Sequence, residues 1–182
     1  MRIFVINGSA SSGKDQFVKF IKQNYKNKCF NWSTIDKIKR IARKHLGWDG
    51  DKTEKGRLLL SELKKIWSEF NNGPFTHMVS KIDRHYSKLI KKHKGEVIYF
   101  IHCREPEEIQ KFVEKYGDKC RTILIKRKDI EIPDNNSDKN VNNYQYNYFI
   151  ENDEDLTKLE MKAKNFLIEL KGQIKKNVTF DV

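Results

Sequence analysis

The feature that most constrains this chain is a Gly-rich run, Gly8-Ser-Ala-Ser-Ser-Gly13-Lys14-Asp15, between two segments of opposite period. Before it stands Arg2-Ile-Phe-Val-Ile-Asn7, a short β-branched and aromatic stretch without polar alternation. Such a run marks a strand buried on both faces, which belongs to a parallel sheet. After it, Phe17, Phe20, Ile21 and Tyr25 recur at helical spacing. A strand, a glycine turn and a helix open a β-α unit, so an α/β fold is expected.

The rest of the chain continues the alternation. Lys28-Cys-Phe-Asn-Trp-Ser33 reads as a second strand, and Ile35, Ile38, Ile41, Ala42 and His45 as the buried face of a second helix. Ser33 and Asp36 have the spacing of a capping box at its start. A helix from about Lys52 carries Leu59, Leu60, Leu63, Ile66, Trp67 and Phe70 until Asn71-Asn-Gly-Pro74 breaks it. A further helix holds Phe75, Met78, Val79, Ile82, Tyr86, Leu89 and Ile90. Two consecutive helices between strands make residues 34–94 an insertion. Glu96 to Cys103 is the strongest interior strand, and Pro106, Glu107 and Glu108 suit the first turn of the helix after it. Thr122 to Lys126 and Tyr146 to Ile150 supply a fourth and a fifth strand. Leu156, Leu159, Ala163, Phe166, Leu167 and Leu170 line a last helix. The expected architecture is a mostly parallel five-stranded sheet with helices on both faces, in one domain over 1–182. Residues 127–144 form a polar loop long enough to act as a lid, with Asp134, Asp138 and Lys139 as its charged members.

Composition narrows the partners. The net charge is +12, but lysine supplies most of the excess and spreads it from end to end, so nucleic acid is not expected as the partner. A positive field of this kind speeds the capture of small phosphorylated ligands. The three cysteines, Cys29, Cys103 and Cys120, lack metal or disulfide spacing and sit in apolar runs. They suit a reducing, cytoplasmic setting as small hydrophobes. No apolar run approaches membrane-spanning length, so no membrane partner is expected.

The chemistry lies in the glycine run, which matches G-x-x-x-x-G-K and then places Asp15 where a hydroxyl residue is usual. Gly8 and Gly13 allow successive N–H groups, those of Ser9, Ala10, Ser11, Ser12, Lys14, Asp15 and Gln16 included, to converge on phosphate oxygens at a helix N-terminus. Lys14 adds a mobile charge for the β and γ phosphates of a nucleoside triphosphate. Asp15 would repel phosphate unless a cation intervened, which makes it the candidate ligand of Mg²⁺.

The run Gly8 to Asp15 resembles the P-loop of deoxynucleoside monophosphate kinases, within the adenylate-kinase-like group of P-loop small-molecule kinases. His102-Cys-Arg-Glu-Pro-Glu-Glu108 is similar to that family's Asp-Val-Arg before an acidic helix start, with His102 where the family shows Asp. Ile123-Leu-Ile-Lys-Arg127 is similar to its strand ending in Arg before the lid.

The resemblance implies a three-layer P-loop kinase fold that transfers the γ-phosphoryl of ATP, with Mg²⁺, to a nucleoside or deoxynucleoside monophosphate. It implies catalytic roles for Lys14, Arg104 and Arg127, with Arg104 also contacting the acceptor. It places the acceptor against the 34–94 insertion, where Ser33, Asp36, Arg40 and Arg57 are the polar candidates and Trp32, Trp48 or Trp67 could stack on a base. The partners expected are small-molecule nucleotides, with a homodimer left open. Other phosphorylated acceptors of the dephospho-coenzyme A or phosphomevalonate type stay open, as does a nucleotide sensor or nucleic-acid-associated module with weak turnover.

Overall fold

Alternation inside the apolar strands builds two cores from one sheet. The computed structural model describes residues 1–128, 141 and 144–178, with backbone alone from residue 173 onward. Its elements are β1 (Arg2–Asn7), α1 (Lys14–Asn24), β2 (Lys28–Ser33), α2 (Asp36–His45), α3 (Glu54–Asn71) and α4 (Gly73–Leu89). They continue with β3 (Val97–His102), α5 (Pro106–Tyr116), a 3-10 turn (Gly117–Lys119), β4 (Cys120–Lys126), β5 (Tyr148–Glu151) and α6 (Leu156–Val178). The strands lie in the order β2-β3-β1-β4-β5 and every pairing is parallel.

Ile3 and Val5 of β1, with Val97, Tyr99 and Ile101 of β3, face Met78 and Ile82 of α4 and Ile109 and Phe112 of α5. Phe4 and Ile6, with Ile98 and Phe100, face the other way onto Phe17, Val18 and Ile21 of α1 and Leu159, Ala163 and Phe166 of α6. The crossover from β1 to β2 runs in one direction and that from β3 to β4 in the other. Right-handed crossovers therefore put α1 and α5 on opposite faces. Connections from the adjacent strands β1 and β4 also leave in opposite directions, which opens a crevice beyond their carboxyl ends. The glycine run begins there.

Several boundaries differ from the sequence expectation, each for a visible reason. β4 starts at Cys120, which pairs with Ile3, and β5 starts only at Tyr148. Asn147 is diverted: its Oδ1 accepts the Thr122 N–H at 2.9 Å, while its own N–H donates to Thr122 Oγ1 at 3.0 Å. Tyr146 turns inward to a buried hydroxyl network. The expected capping box is only half formed. Asp36 Oδ2 accepts the Ser33 N–H at 2.9 Å, but Ser33 Oγ donates to the His102 carbonyl at 3.4 Å and Ile35 is the N-cap. The stripe on α3 also departs from expectation, since Gly56 is its only buried residue. α3 packs on α2 and α4, because α4 and α5 already cover that face of the sheet. Leu63, Ile66, Trp67 and Phe70 are left beside an open apolar groove of about 210 Å³ with Ile38 and Ile41 of α2.

Cys103 and Cys120 are buried, Cys29 is half-buried, and all three are free thiols. No helix among the described residues is long and apolar enough to cross a membrane. The candidate lid residues Asp134, Asp138 and Lys139 lie outside the described residues.

Candidate active site

Two glycines allow the loop after β1 to close. Gly8 has φ 144° and Gly13 φ 96°, and Ser11 between them is also left-handed at 59°. A side chain on Gly8 would strike the Ile125 carbonyl and the Ser12 hydroxyl, and one on Gly13 would strike the Asn152 amide. Only glycine meets both demands, positive φ and close approach. Gly13 is the N-cap of α1 and offers no side-chain cap, so the first N–H groups of that helix stay available to an anion. Lys14 folds back over the loop, its Nζ donating to the carbonyls of Gly8 at 2.6 Å and Ser9 at 2.5 Å and to Ser12 Oγ at 3.2 Å. The ammonium is thus held at the mouth of a run of backbone donors.

Two buried asparagines brace the loop, and sequence reasoning passes over both. Asn7 Oδ1 accepts the Gly8 N–H at 2.7 Å, while its Nδ2 donates to the Arg104 carbonyl at 3.1 Å and to Tyr146 Oη at 2.7 Å. The Tyr146 hydroxyl in turn donates to the Val141 carbonyl at 2.9 Å. Asn152, just beyond β5, donates from Nδ2 to the Ser12 carbonyl at 3.0 Å and from its backbone to the Lys126 carbonyl at 2.7 Å. The signal available in sequence is an amide residue directly after or at the end of a strand, too common to stand out.

At the carboxyl ends of β2 and β3, Asn31, His102 and Asp15 form a chain. His102 Nε2 lies 2.7 Å from Asn31 Oδ1, and Asn31 Nδ2 donates to Asp15 Oδ1 at 3.2 Å. Burial above all pushes the His102 imidazole down to about 4; Asp15 and Asp36 resist, and Lys14 and Arg104 add to the fall. The ring is therefore neutral at pH 7, and its 3.5 Å approach to Asp15 is not an ion pair. The same charges show that Lys14, Asp15, Asp36 and Arg104 all gather around His102.

Arg104 is half-buried, its backbone tied to the loop by Asn7, whereas Arg127 is exposed directly after β4. Next to it, Lys128 is anchored to Asp153 through its N–H at 2.7 Å and its Nζ at 3.5 Å. Ser33 and Asp36 are engaged with each other at the start of α2. Arg40 is exposed and belongs to a group of cations with Lys37 of α2 and Lys81 and Arg84 of α4; after burial, these four charges lower the imidazole of His77. Lys81 Nζ sits 4.1 Å above the Trp32 ring, and Trp67 stands 6.0 Å from the His77 ring. Trp48 bonds Asp51 at 2.8 Å under Arg43, and Arg57 is exposed near the start of α3.

A cleft of about 400 Å³ opens at the start of α5, lined by Ser68, Asn72, Phe75, Glu105, Glu108 and Lys111 among others. None of Ser33, Asp36, Arg40 and Arg57 lines it. Glu108 is buried, with Oε2 taking Lys64 Nζ at 2.8 Å and Cys103 Sγ at 3.2 Å, and Oε1 without a partner. A buried pair of this kind is not expected from sequence, because Lys64 lies on the polar side of the α3 stripe.

The residues fit Mg²⁺ in one manner. Among the described residues there is no cluster of three or more His, Cys, Asp or Glu side chains that would cage a metal. Asp15 supplies one exposed carboxylate beside Lys14, which suits an ion held by a single carboxylate, water and nucleotide phosphates.

No family model and no curated protein matches the sequence. The fold and loop define a P-loop α/β protein. Among solved structures the chain is similar to a shikimate kinase from Aquifex aeolicus, at 14% identity over 96% of this chain and 98% of that one, TM-score 0.46. A gluconokinase from Sinorhizobium meliloti is similar at 9% identity over 97% of both chains, TM-score 0.48. An APS kinase from Mycobacterium tuberculosis is similar at 9% over 91% of this chain and 96% of that one, TM-score 0.42.

Proposed function

We propose that this chain transfers the γ-phosphoryl group of ATP to a nucleoside or deoxynucleoside monophosphate. The observation that carries the proposal is the loop itself, where Gly8, Ser11 and Gly13 adopt positive φ and Lys14 Nζ is held over it. The backbone donors between Ser9 and Gln16 bind the polyphosphate, the Gly8 N–H being held by Asn7, and Lys14 leaves its loop carbonyls to neutralise the β and γ oxygens. Asp15 would hold Mg²⁺, which when bound neutralises phosphate charge and aligns the chain of phosphates. Arg104, whose backbone is tied to the loop by Asn7 and which directly precedes Glu105 in the wall of the 400 Å³ cleft, contacts the acceptor phosphate in a fork and disperses charge on the transferring group. Arg127, past the end of β4, approaches from the lid side. The cleft receives the rest of the acceptor, with Phe75 for a base face and Ser68, Asn72 and Glu105 for its edge. No general base is required, since a phosphate oxygen of the acceptor is the nucleophile.

The test is coupled ADP release with Mg-ATP against ribo- and deoxynucleoside monophosphates, repeated for Lys14→Ala. Turnover that needs one monophosphate and falls about 100-fold or more in the variant is expected. ADP release with none of them would overturn the acceptor class.

A further inference from the structure

The family pattern that the sequence resembles has an acidic residue at the end of β3, and this chain has a histidine whose side chain is only 14% exposed. The hydrogen bonds around that histidine have a single consistent direction. Asn31 Oδ1 can only accept, so His102 Nε2 must carry the ring proton and donate to it at 2.7 Å. That bond fixes the Asn31 amide with its NH₂ toward Asp15, and Nδ2 donates to Asp15 Oδ1 at 3.2 Å. Flipping the amide would set its carbonyl against the Asp15 carboxylate, so the NH₂ faces Asp15 and the carbonyl faces His102. Asp15 is 88% exposed, so without this chain its carboxylate would sample several rotamers. Oδ1 is the tethered oxygen, and Oδ2 accepts no bond from the described residues.

We infer that Asn31 and His102 are positioning residues that orient the Asp15 carboxylate toward a nucleotide-bound divalent cation. His102 sets the amide of Asn31, Asn31 tethers one oxygen of Asp15, and the other is presented to the ion. Outer partners of a metal-binding group commonly govern metal affinity by about 10-fold or more. A histidine at the end of β3 thereby serves the carboxylate of α1 in place of adding one of its own. The inference rests on the proposed role of Asp15 and fails separately from it.

The experiment is titration of AMP-PNP binding with and without Mg²⁺ on the full chain, for the unaltered protein, Asn31→Leu, His102→Phe and His102→Gln. The quantity read is the ratio of the two affinities. Positioning predicts that the ratio falls roughly 10-fold in Asn31→Leu and His102→Phe while Mg²⁺-free affinity holds. In His102→Gln, whose amide can still donate to Asn31, the ratio is retained. A ratio unchanged in both Asn31→Leu and His102→Phe overturns the inference and leaves the role of Asp15 standing. Equal loss with and without the metal, or equal ratios in the two His102 variants, assigns the residues to packing and also overturns it. A ratio of one in the unaltered protein removes the role of Asp15 itself. Circular dichroism melts accompany each variant, and the His102 pair decides the matter should Asn31→Leu not fold.

Discussion

Single residues carry unequal weight in this site. Gly13→Ala must place a β-carbon at φ 96° where the Asn152 amide already stands. A loss of about 1–3 kcal/mol in urea unfolding is expected, with weaker nucleotide binding. The Lys64–Glu108 pair is mostly buried, at 14% and 10% side-chain exposure, so removing one charge strands the other. Lys64→Met is expected to cost about 3–5 kcal/mol, and Lys64→Met with Glu108→Leu to recover most of it, read by denaturant melts. For His102 the folded pKa of about 4 lies below its unfolded value of about 6.5. The unfolded chain binds the proton more tightly, so stability is full above pH 6.5 and is lost as pH falls toward 4. Melting temperatures between pH 7 and 4.5 should fall less steeply in His102→Gln than in the unaltered protein.

The secondary elements meet the loop through polar contacts at strand ends. Asn152→Ala removes the amide that satisfies the buried Ser12 carbonyl after β5. About 1–3 kcal/mol of stability should go with it, together with nucleotide affinity, as melts and binding titrations would show. Helix α3 is the opposite case. Phe70 is 83% exposed on its outer face, so Phe70→Ser should change stability by less than about 0.5 kcal/mol in the same melts. Helix and strand positions were largely legible, because period 3.6 and continuous β-branched runs follow from burying one stripe or two faces. The exceptions share a cause. β5 was shortened because the Asn147 side chain bonds Thr122, and the capping box was halved because the Ser33 hydroxyl bonds His102. Such long-range polar partners leave no period in the sequence.

For the whole molecule, strand order and handedness bring residues distant in sequence to one end of the sheet: Asn7, Lys14, Asn31, His102, Arg104 and Asn152. The sequence by itself determined the α/β class and the glycine loop that leads into Lys14 and Asp15 at the start of α1. Those depend on local spacing: glycine where φ is positive, and a strand and a helix on either side. The expected lid members cannot be placed among the described residues, and Ser33 and Asp36 turn out to bond each other. Only the tertiary structure decided that the sheet is parallel throughout, that two asparagines hold the loop from below, and that His102 and Asn31 tether Asp15. It also set the cleft at the start of α5 and the buried partnership of Lys64 with Glu108. Local conformation is written in neighbouring residues, whereas these contacts exist only once the crossovers have brought separate strand ends within hydrogen-bond reach.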